Sequence, residues 1–320
     1  MPAIGKKLHH YVPRFYLKAW AENNLVYCLH RGEILRVNLR NVASENHFYR
    51  LHELSPEDVE FIRAVAINDS PPVLKPLHEE LVRTFTLPYL AKKNLETAGL
   101  AAPKTMAEIG RMIAELNENY HTSIENVFKP YLHSMFAGDL SFLEDPEKAS
   151  MFYYGLAVQY LRTNHIKGTK LALPPERVAY YFKLANALVH ILAKNLGFNM
   201  YARREQYTIM LLDNPTEVPF VTADQPVINM AGNPTDSNPV QRFELYYPLS
   251  PTKAFLLLEP SSDFLPAGST VSADLTHLYN LRMAAYSYQQ VFSNSPEELE
   301  AIRAKLPAFL NRLQQQRPRP

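Results

Sequence analysis

One cysteine, ten glycines and an almost cancelled charge remove several function classes before any motif is read. Cys28 stands alone, so neither an internal disulfide nor a multi-cysteine zinc site can form within the chain. Its solitude fits a reducing compartment. Ten glycines against 25 prolines leave little material for phosphate-cradling loops. Neither Gly-x-Gly-x-x-Gly nor Gly-x-x-x-x-Gly-Lys-Ser/Thr occurs, so no nucleotide cofactor is expected. The Gly-x-Ser-x-Gly elbow of serine hydrolases and the His-Glu-x-x-His helix of metalloproteases are also missing. Thirty-three basic against 32 acidic side chains leave a net charge of +1, which does not itself point to nucleic acid or a membrane. A local basic patch remains compatible with that sum.

Long apolar runs are absent too. No uninterrupted stretch reaches the roughly 20 residues a membrane span requires. The first twenty residues are basic and aromatic, with two histidines where a signal core would be apolar. The expectation is a cytoplasmic protein without a membrane partner, its oligomeric state open. What the chain does have is bulk: 320 residues, 47% of them hydrophobic, can bury a sizeable core.

Hydrophobic spacing predicts an α+β fold. Leu25–Leu29 and Glu33–Asn38 alternate apolar and polar residues around Arg31-Gly32, a hairpin with glycine in its turn. Ser55-Pro56-Glu57-Asp58 has the form of a helix N-cap followed by proline and acids. Helical periodicity runs through Met106–Phe136, where Pro130 should kink or end a segment, then Glu147–Thr163 and Pro174–Asn199. Past Arg204 come short β-rich runs at Tyr207–Leu212, Pro219–Thr222, Val227–Met230, Phe243–Tyr247 and Ala254–Leu258, separated by proline-containing turns. They predict a mostly antiparallel sheet. Ser272–Ser287 and Ser295–Gln315 should close the chain as helices. The expected unit is one α+β domain over 1–316, helix-rich over 55–204, strand-rich over 205–260 and closed by helices over 270–316, with a frayed tail at 317–320.

The densest chemistry lies at the start, in Leu8-His9-His10-Tyr11-Val12-Pro13-Arg14-Phe15-Tyr16-Leu17-Lys18-Ala19-Trp20. Neighbouring residues of an extended segment point opposite ways, so one histidine enters a given pocket while the other supports the backbone or a carboxylate. A neutral imidazole can ligate a metal or act as a general base; both rings can equally anchor the segment. Asp224, in Thr222-Ala223-Asp224-Gln225-Pro226-Val227, sits where a strand end can offer it to a metal, a histidine or a substrate. An Asx turn onto its own downstream backbone is the alternative. Gln159 and Arg162 share a helix face three residues apart, and Arg162 suits a phosphate or carboxylate, or a buried acid. Glu125 either turns inward to Arg162 or a histidine, or faces water; Glu45 stands in reserve. Cys28 has no activating neighbour in its hairpin, which argues against a nucleophile. Arg162-Thr163-Asn164-His165 places two residues between Arg and His, too few for the helical-ribonuclease motif.

These motifs resemble a bacterial family known as domain of unknown function 4238. Its hallmark His-His-x-x-Pro-x-x-Tyr-Leu is matched by His9, His10, Pro13, Tyr16 and Leu17. Its Thr-Ser-Asp-Asn-Pro-Val signature is matched at Thr222–Val227, with Ala223 and Gln225 in place of Ser and Asn. Its Gln-x-x-Arg-Thr arrangement is matched by Gln159, Arg162 and Thr163. The resemblance implies a shared fold and site region but no reaction. The resulting expectation is a site combining His9 or His10 with Gln159, Arg162 and Asp224 as catalytic groups, and Tyr16, Thr222 and Glu125 as substrate contacts. His10 and Asp224 would hold a divalent Mg or Mn ion. That set suits a metal-dependent phosphodiester hydrolase, a nuclease acting on phage or host nucleic acid in phage or mobile-element conflict. The alternative is a non-catalytic ligand-binding or regulatory protein with a structural His/Arg/Asp network.

Overall fold

The computed structural model describes residues 8–168, 175–236 and 242–315; Pro174 and the expected tail at 317–320 lie outside them. The chain begins with a short strand β1 (Leu8–His10) and one helical turn α1 (Arg14–Leu17), which runs into a 3₁₀ turn ending at Trp20. The hairpin β2 (Leu25–His30) and β3 (Glu33–Asn38) follows. Arg31 and Gly32 both have positive φ, 50° and 81°, the pair of values a tight two-residue hairpin turn demands. β4 (Ser44–Asn46) returns to pair with β1.

Helices dominate the middle: α2 (Pro56–Ile62), α3 (Lys75–Thr97), α4 (Pro103–Phe136), α5 (Pro146–Leu161), α6 (Asn164–Gly168) and α7 (Pro175–Ala202). Ser55 and Asp58 close a reciprocal capping box on α2. α4 does not break at Pro130 as its sequence suggests. Pro130 and Asn126, whose carbonyl loses its helical partner, both lie on the exposed face, so water can satisfy that carbonyl. α5 is buried nearly all round, from Ala149 through Phe152, Tyr153, Leu156, Ala157 and Val158, which makes it the central helix. Gly197 of α7 lets the two helices meet: a Cβ there would stand 2.7 Å from the Tyr154 Cα.

The remaining strands are β5 (Thr208–Asp213), β6 (Thr222–Ala223), β7 (Ile228–Asn229), β8 (Leu245–Ser250), β9 (Lys253–Leu258) and β10 (Gln290–Ser293), with α8 (Ala273–Tyr286) before β10 and α9 (Pro296–Gln315) after it. They form two four-stranded antiparallel sheets, ordered β3-β2-β10-β6 and β5-β9-β8-β7. This is an α+β fold. The expected strand at Phe243–Tyr247 extends to Ser250 because Pro248 is taken into β8, where the register shifts between Pro248 and Ser250. One apolar cluster reaches from Tyr11 and Trp20 through Phe152 of α5 to Phe255 and Phe292 of the two sheets.

The N-terminal segment is tied into that cluster by two polar pins. The Tyr16 hydroxyl donates to the Pro248 carbonyl at 2.7 Å and lies 2.7 Å from the Thr222 hydroxyl. The Trp20 indole N–H donates to the Phe220 carbonyl at 2.7 Å. Trp20→Ala should therefore cost about 3–5 kcal/mol, seen as a lower midpoint in chemical denaturation. Gly197→Ala should cost about 1–3 kcal/mol because the obstructing atoms are helix backbone, which cannot rotate away. An unchanged midpoint for Gly197→Ala would show that α5 and α7 have slack where they cross.

Candidate functional site

β1 pairs with β4 so that His9 stands opposite Glu45 and His10 opposite Ser44. Strand alternation sends the two imidazoles different ways. His9 is buried; its Nδ1 accepts the Tyr49 backbone N–H at 3.1 Å, and its Nε2 faces Glu118 at 3.4 Å. His10 Nδ1 donates to the Val42 carbonyl at 3.1 Å. That bond leaves Nε2 of the neutral ring as an acceptor. His10 lines a cleft of about 700 Å³.

The cleft combines groups of opposite character. Arg14 and Lys18, from α1 and the turn after it, and Arg40, after β3, bring three exposed cations to its lining. α4 supplies Glu118, His121, Thr122 and Glu125, spaced so that one helix face carries all four. Phe15 and Tyr49 add aromatic surface. Burial, and then the Arg14 charge, push the His10 pKa below its ordinary 6.5, while Glu125 pulls weakly the other way. His10 is therefore a neutral base at pH 7.

Behind the α4 wall sits Arg162, with no exposed surface. Its guanidinium donates to Glu125 at 2.6 Å and to Gln159 at 2.9 Å. Gln159 and Arg162 thus do not line the cleft; they reach it through Glu125. Further along, His190 donates to Asn117 at 2.6 Å, Asn117 donates to the Tyr49 carbonyl at 2.9 Å, and the Tyr49 hydroxyl donates to the His10 carbonyl at 3.1 Å. His121 stacks between Tyr49 and His190, with ring centroids 4.0 and 4.4 Å away. Both its ring nitrogens are buried without a hydrogen-bond partner. Burial, reinforced by His190, holds its pKa well below the usual histidine value.

Asp224 is elsewhere. Fully buried, it does not line the cleft, and its two oxygens accept the backbone N–H groups of Tyr288, Gln289 and Gln290 at 2.8 to 3.0 Å. These donors belong to the turn from α8 into β10, not to an Asx turn on its own downstream backbone. Thr222 and Tyr16 are likewise buried and bonded to one another. The departure Gln225 is itself a scaffold: its amide donates to the Tyr160 and Val227 carbonyls at 3.0 and 2.6 Å and its oxygen accepts from Thr163. Among the described residues no group of three or more His, Cys, Asp or Glu side chains is placed to hold a metal ion. Cys28 is buried in β2, and burial pushes its thiol up to about 12, out of reach as a thiolate.

The sequence model of the family described as protein of unknown function, DUF4238, matches residues 8–297. The chain belongs to that family. No curated protein and no solved structure matches it. The DUF4238 motifs thus divide their work: His10 faces the cleft, while Tyr16, Thr222 and Asp224 hold the framework that carries it. His121, Arg14, Lys18 and Arg40 were missed by sequence reasoning. Glu118, His121, Thr122 and Glu125 follow one another at helical spacing, a signal that a polar line along α4 could have provided. The three cations come from short elements with no shared period, and no pattern announces them.

Asp224→Ala should cost about 2–5 kcal/mol, because it leaves three buried backbone donors without an acceptor. Burial outweighs those donors and raises the Asp224 carboxyl from 3.8 to about 6. A folded-state pKa above the unfolded one gives a contribution fully present below about pH 4 and lost as pH rises through about 6. Denaturation midpoints across that window should show this loss in the native chain and not in Asp224→Ala. A variant as stable as the parent would remove the anchor role.

Proposed function

We propose that the cleft hydrolyses phosphodiesters with His10 as its proton-transfer group. The observation carrying this reading is the pairing of a base-competent His10 with three cations, Arg14, Lys18 and Arg40, in one cleft. The cations would bind the phosphoryl oxygens, where a guanidinium or ammonium offsets charge that grows in the transition state. His10 Nε2 would take a proton from the attacking water as its oxygen bonds to phosphorus. The same proton would pass to the leaving oxygen as the P–O bond breaks, restoring the neutral ring. Glu125, held by Arg162, would orient the water from α4. These steps use the chain's own groups; both Asp224 oxygens already accept backbone N–H groups.

A second reading, a ligand-binding protein without catalysis, draws on a different observation. Tyr16, Thr222, Gln159, Arg162 and Asp224 all have protein partners, so most of the motif side chains maintain structure. Its global charge near zero suits a small ligand better than a long polyanion.

Purified protein should cleave bis(p-nitrophenyl) phosphate, or a DNA or RNA strand, in the presence of EDTA. His10→Ala should lower kcat about 10²–10⁴-fold. Arg40→Ala, an exposed change, should raise KM more than it lowers kcat. Because the His10 pKa is lowered, the rate should stay level near neutrality and fall on an acid limb whose midpoint lies below 6.5. Cleavage abolished by EDTA and restored by Mn²⁺ would replace the metal-free route with a metal-dependent one. No cleavage across these substrates, alongside saturable ligand binding, would favour the binding protein.

A further inference from the structure

One peptide group sets the orientation of the His10 ring. Its Nδ1 donates to the Val42 carbonyl at 3.1 Å, and the N–H of that same peptide, on Ala43, donates to the Gln290 side-chain oxygen at 2.8 Å. The C=O and N–H of a trans peptide point opposite ways, so His10 and Gln290 grip the Val42–Ala43 plane from its two edges. A peptide whose N–H is engaged is polarised toward its oxygen and accepts more strongly there. An alanine does not hold this plane unaided: Ala43 has a φ of 44°, in the left-handed region that suits glycine. Two bonds keep it there. The Tyr11 N–H donates to the Ala43 carbonyl at 3.0 Å, which fixes the following peptide and leaves the Val42–Ala43 plane to Gln290.

Gln290 can act this way because its own backbone is fixed. In β10 it stands opposite His30 of β2; its N–H donates to Asp224 Oδ2 at 3.0 Å, and its carbonyl accepts the Asp224 N–H at 3.0 Å. A line of contacts thus runs from Asp224 through Gln290 and the Val42–Ala43 peptide to the His10 ring. We infer that Gln290 is a positioning residue for His10: it holds the peptide carbonyl that keeps the ring proton on Nδ1 and leaves Nε2 bare. Without that carbonyl the proton can sit on either nitrogen, and once on Nε2 it removes the lone pair needed to accept another. A base needs an orienting acceptor behind it, and here a backbone carbonyl fills that place. The consequence for rate rests on the phosphodiester reading above; the tautomer does not.

The test is nitrogen NMR of the full chain with its histidine rings isotopically labelled, the His10 signals being assigned by their loss in His10→Gln. Above the pH at which the ring titrates, Nδ1 should read as protonated and Nε2 as bare. Gln290→Met, which keeps the length of the side chain and removes its oxygen, should shift both signals toward the Nε2-protonated form. It should also lower kcat about tenfold or more with KM nearly unchanged. Ala43→Gly added to Gln290→Met should restore part of the Nδ1-protonated form, because glycine adopts a φ of 44° without help. Should Gln290→Met fail to fold, Gln290→Asn, polar but one methylene shorter, must shift the signals instead. A parent chain protonated on Nε2 would overturn the inference. So would His10 signals that stay in place when Gln290 is changed, which would leave Gln290 a tie between β10 and the Val42 turn. Shifted signals without recovery by Ala43→Gly would overturn the peptide as the connecting group. Shifted and recovered signals in a chain that cleaves no phosphodiester would overturn the hydrolytic reading and leave the positioning role standing.

Discussion

A guanidinium with no surface in water dictates where the walls of this cleft can stand. Removing a charge from water without a partner costs several kcal/mol, so Arg162 must be met by an acceptor inside the protein. Glu125 of α4 meets it at 2.6 Å and Gln159 of α5 at 2.9 Å. That ion pair fixes the rotation of α4 about its axis. Once Glu125 faces α5, helical spacing places Glu118, His121 and Thr122 along the same line. The next residue, Thr163, continues the lock through Gln225 to the backbone of Tyr160 and Val227. One buried charge thus couples a cleft wall, the end of the central helix and the turn between β6 and β7.

The opposite wall has a different foundation. β1 is three residues long and pairs only with β4, too little to hold His10 by sheet hydrogen bonds alone. Two aromatic residues further along the segment set its position: Tyr16, pinned to Thr222 and Pro248, and Trp20, pinned to Phe220. β6, which carries Thr222, is in turn held against β10 by Asp224, whose carboxylate closes the turn leading into that strand. Tyr16, Thr222 and Asp224 therefore stand two and three contacts behind the cleft. Their side chains are consumed by the fold, and what they deliver is a fixed path for the segment bearing His10.

This division explains what the sequence could and could not disclose. Elements with strong local signals were legible: the Arg31-Gly32 hairpin, the Ser55 cap, the periodic helices α4, α5 and α7, and the β5, β8 and β9 runs. α3 carried Pro88 within it and β10 is only four residues long, so neither period stood out. β6 and β7 shrink to two residues each because the turns around them take the rest. At the site, the opposite facing of His9 and His10 was readable from strand alternation, while the Arg162–Glu125 contact was one of two alternatives open for Glu125. The role of Asp224 was not, since its three donors lie more than sixty positions downstream. His121 stands beside Ile124 and Phe128, whose spacing makes that face read as ordinary core unless the polar line from Glu118 to Glu125 is followed.

Net charge is silent on the cleft for an electrostatic reason. A sum of +1 over the whole chain says nothing about a cleft lined by three cations. At physiological salt the screening length is about 8 Å, so a bound anion feels Arg14, Lys18 and Arg40 and little of the remaining surface. Glu125 is already compensated by Arg162 at 2.6 Å, so that part of the acidic field is taken up inside the protein. The exposed cations direct their field outward into the cleft. His10 lies between the two, close enough to Arg14 for its proton affinity to fall and close enough to Glu125 for the fall to be tempered. An imidazole placed in this way gives up a proton more readily than a free one. It also remains unprotonated, and so ready to accept the next, at neutral pH.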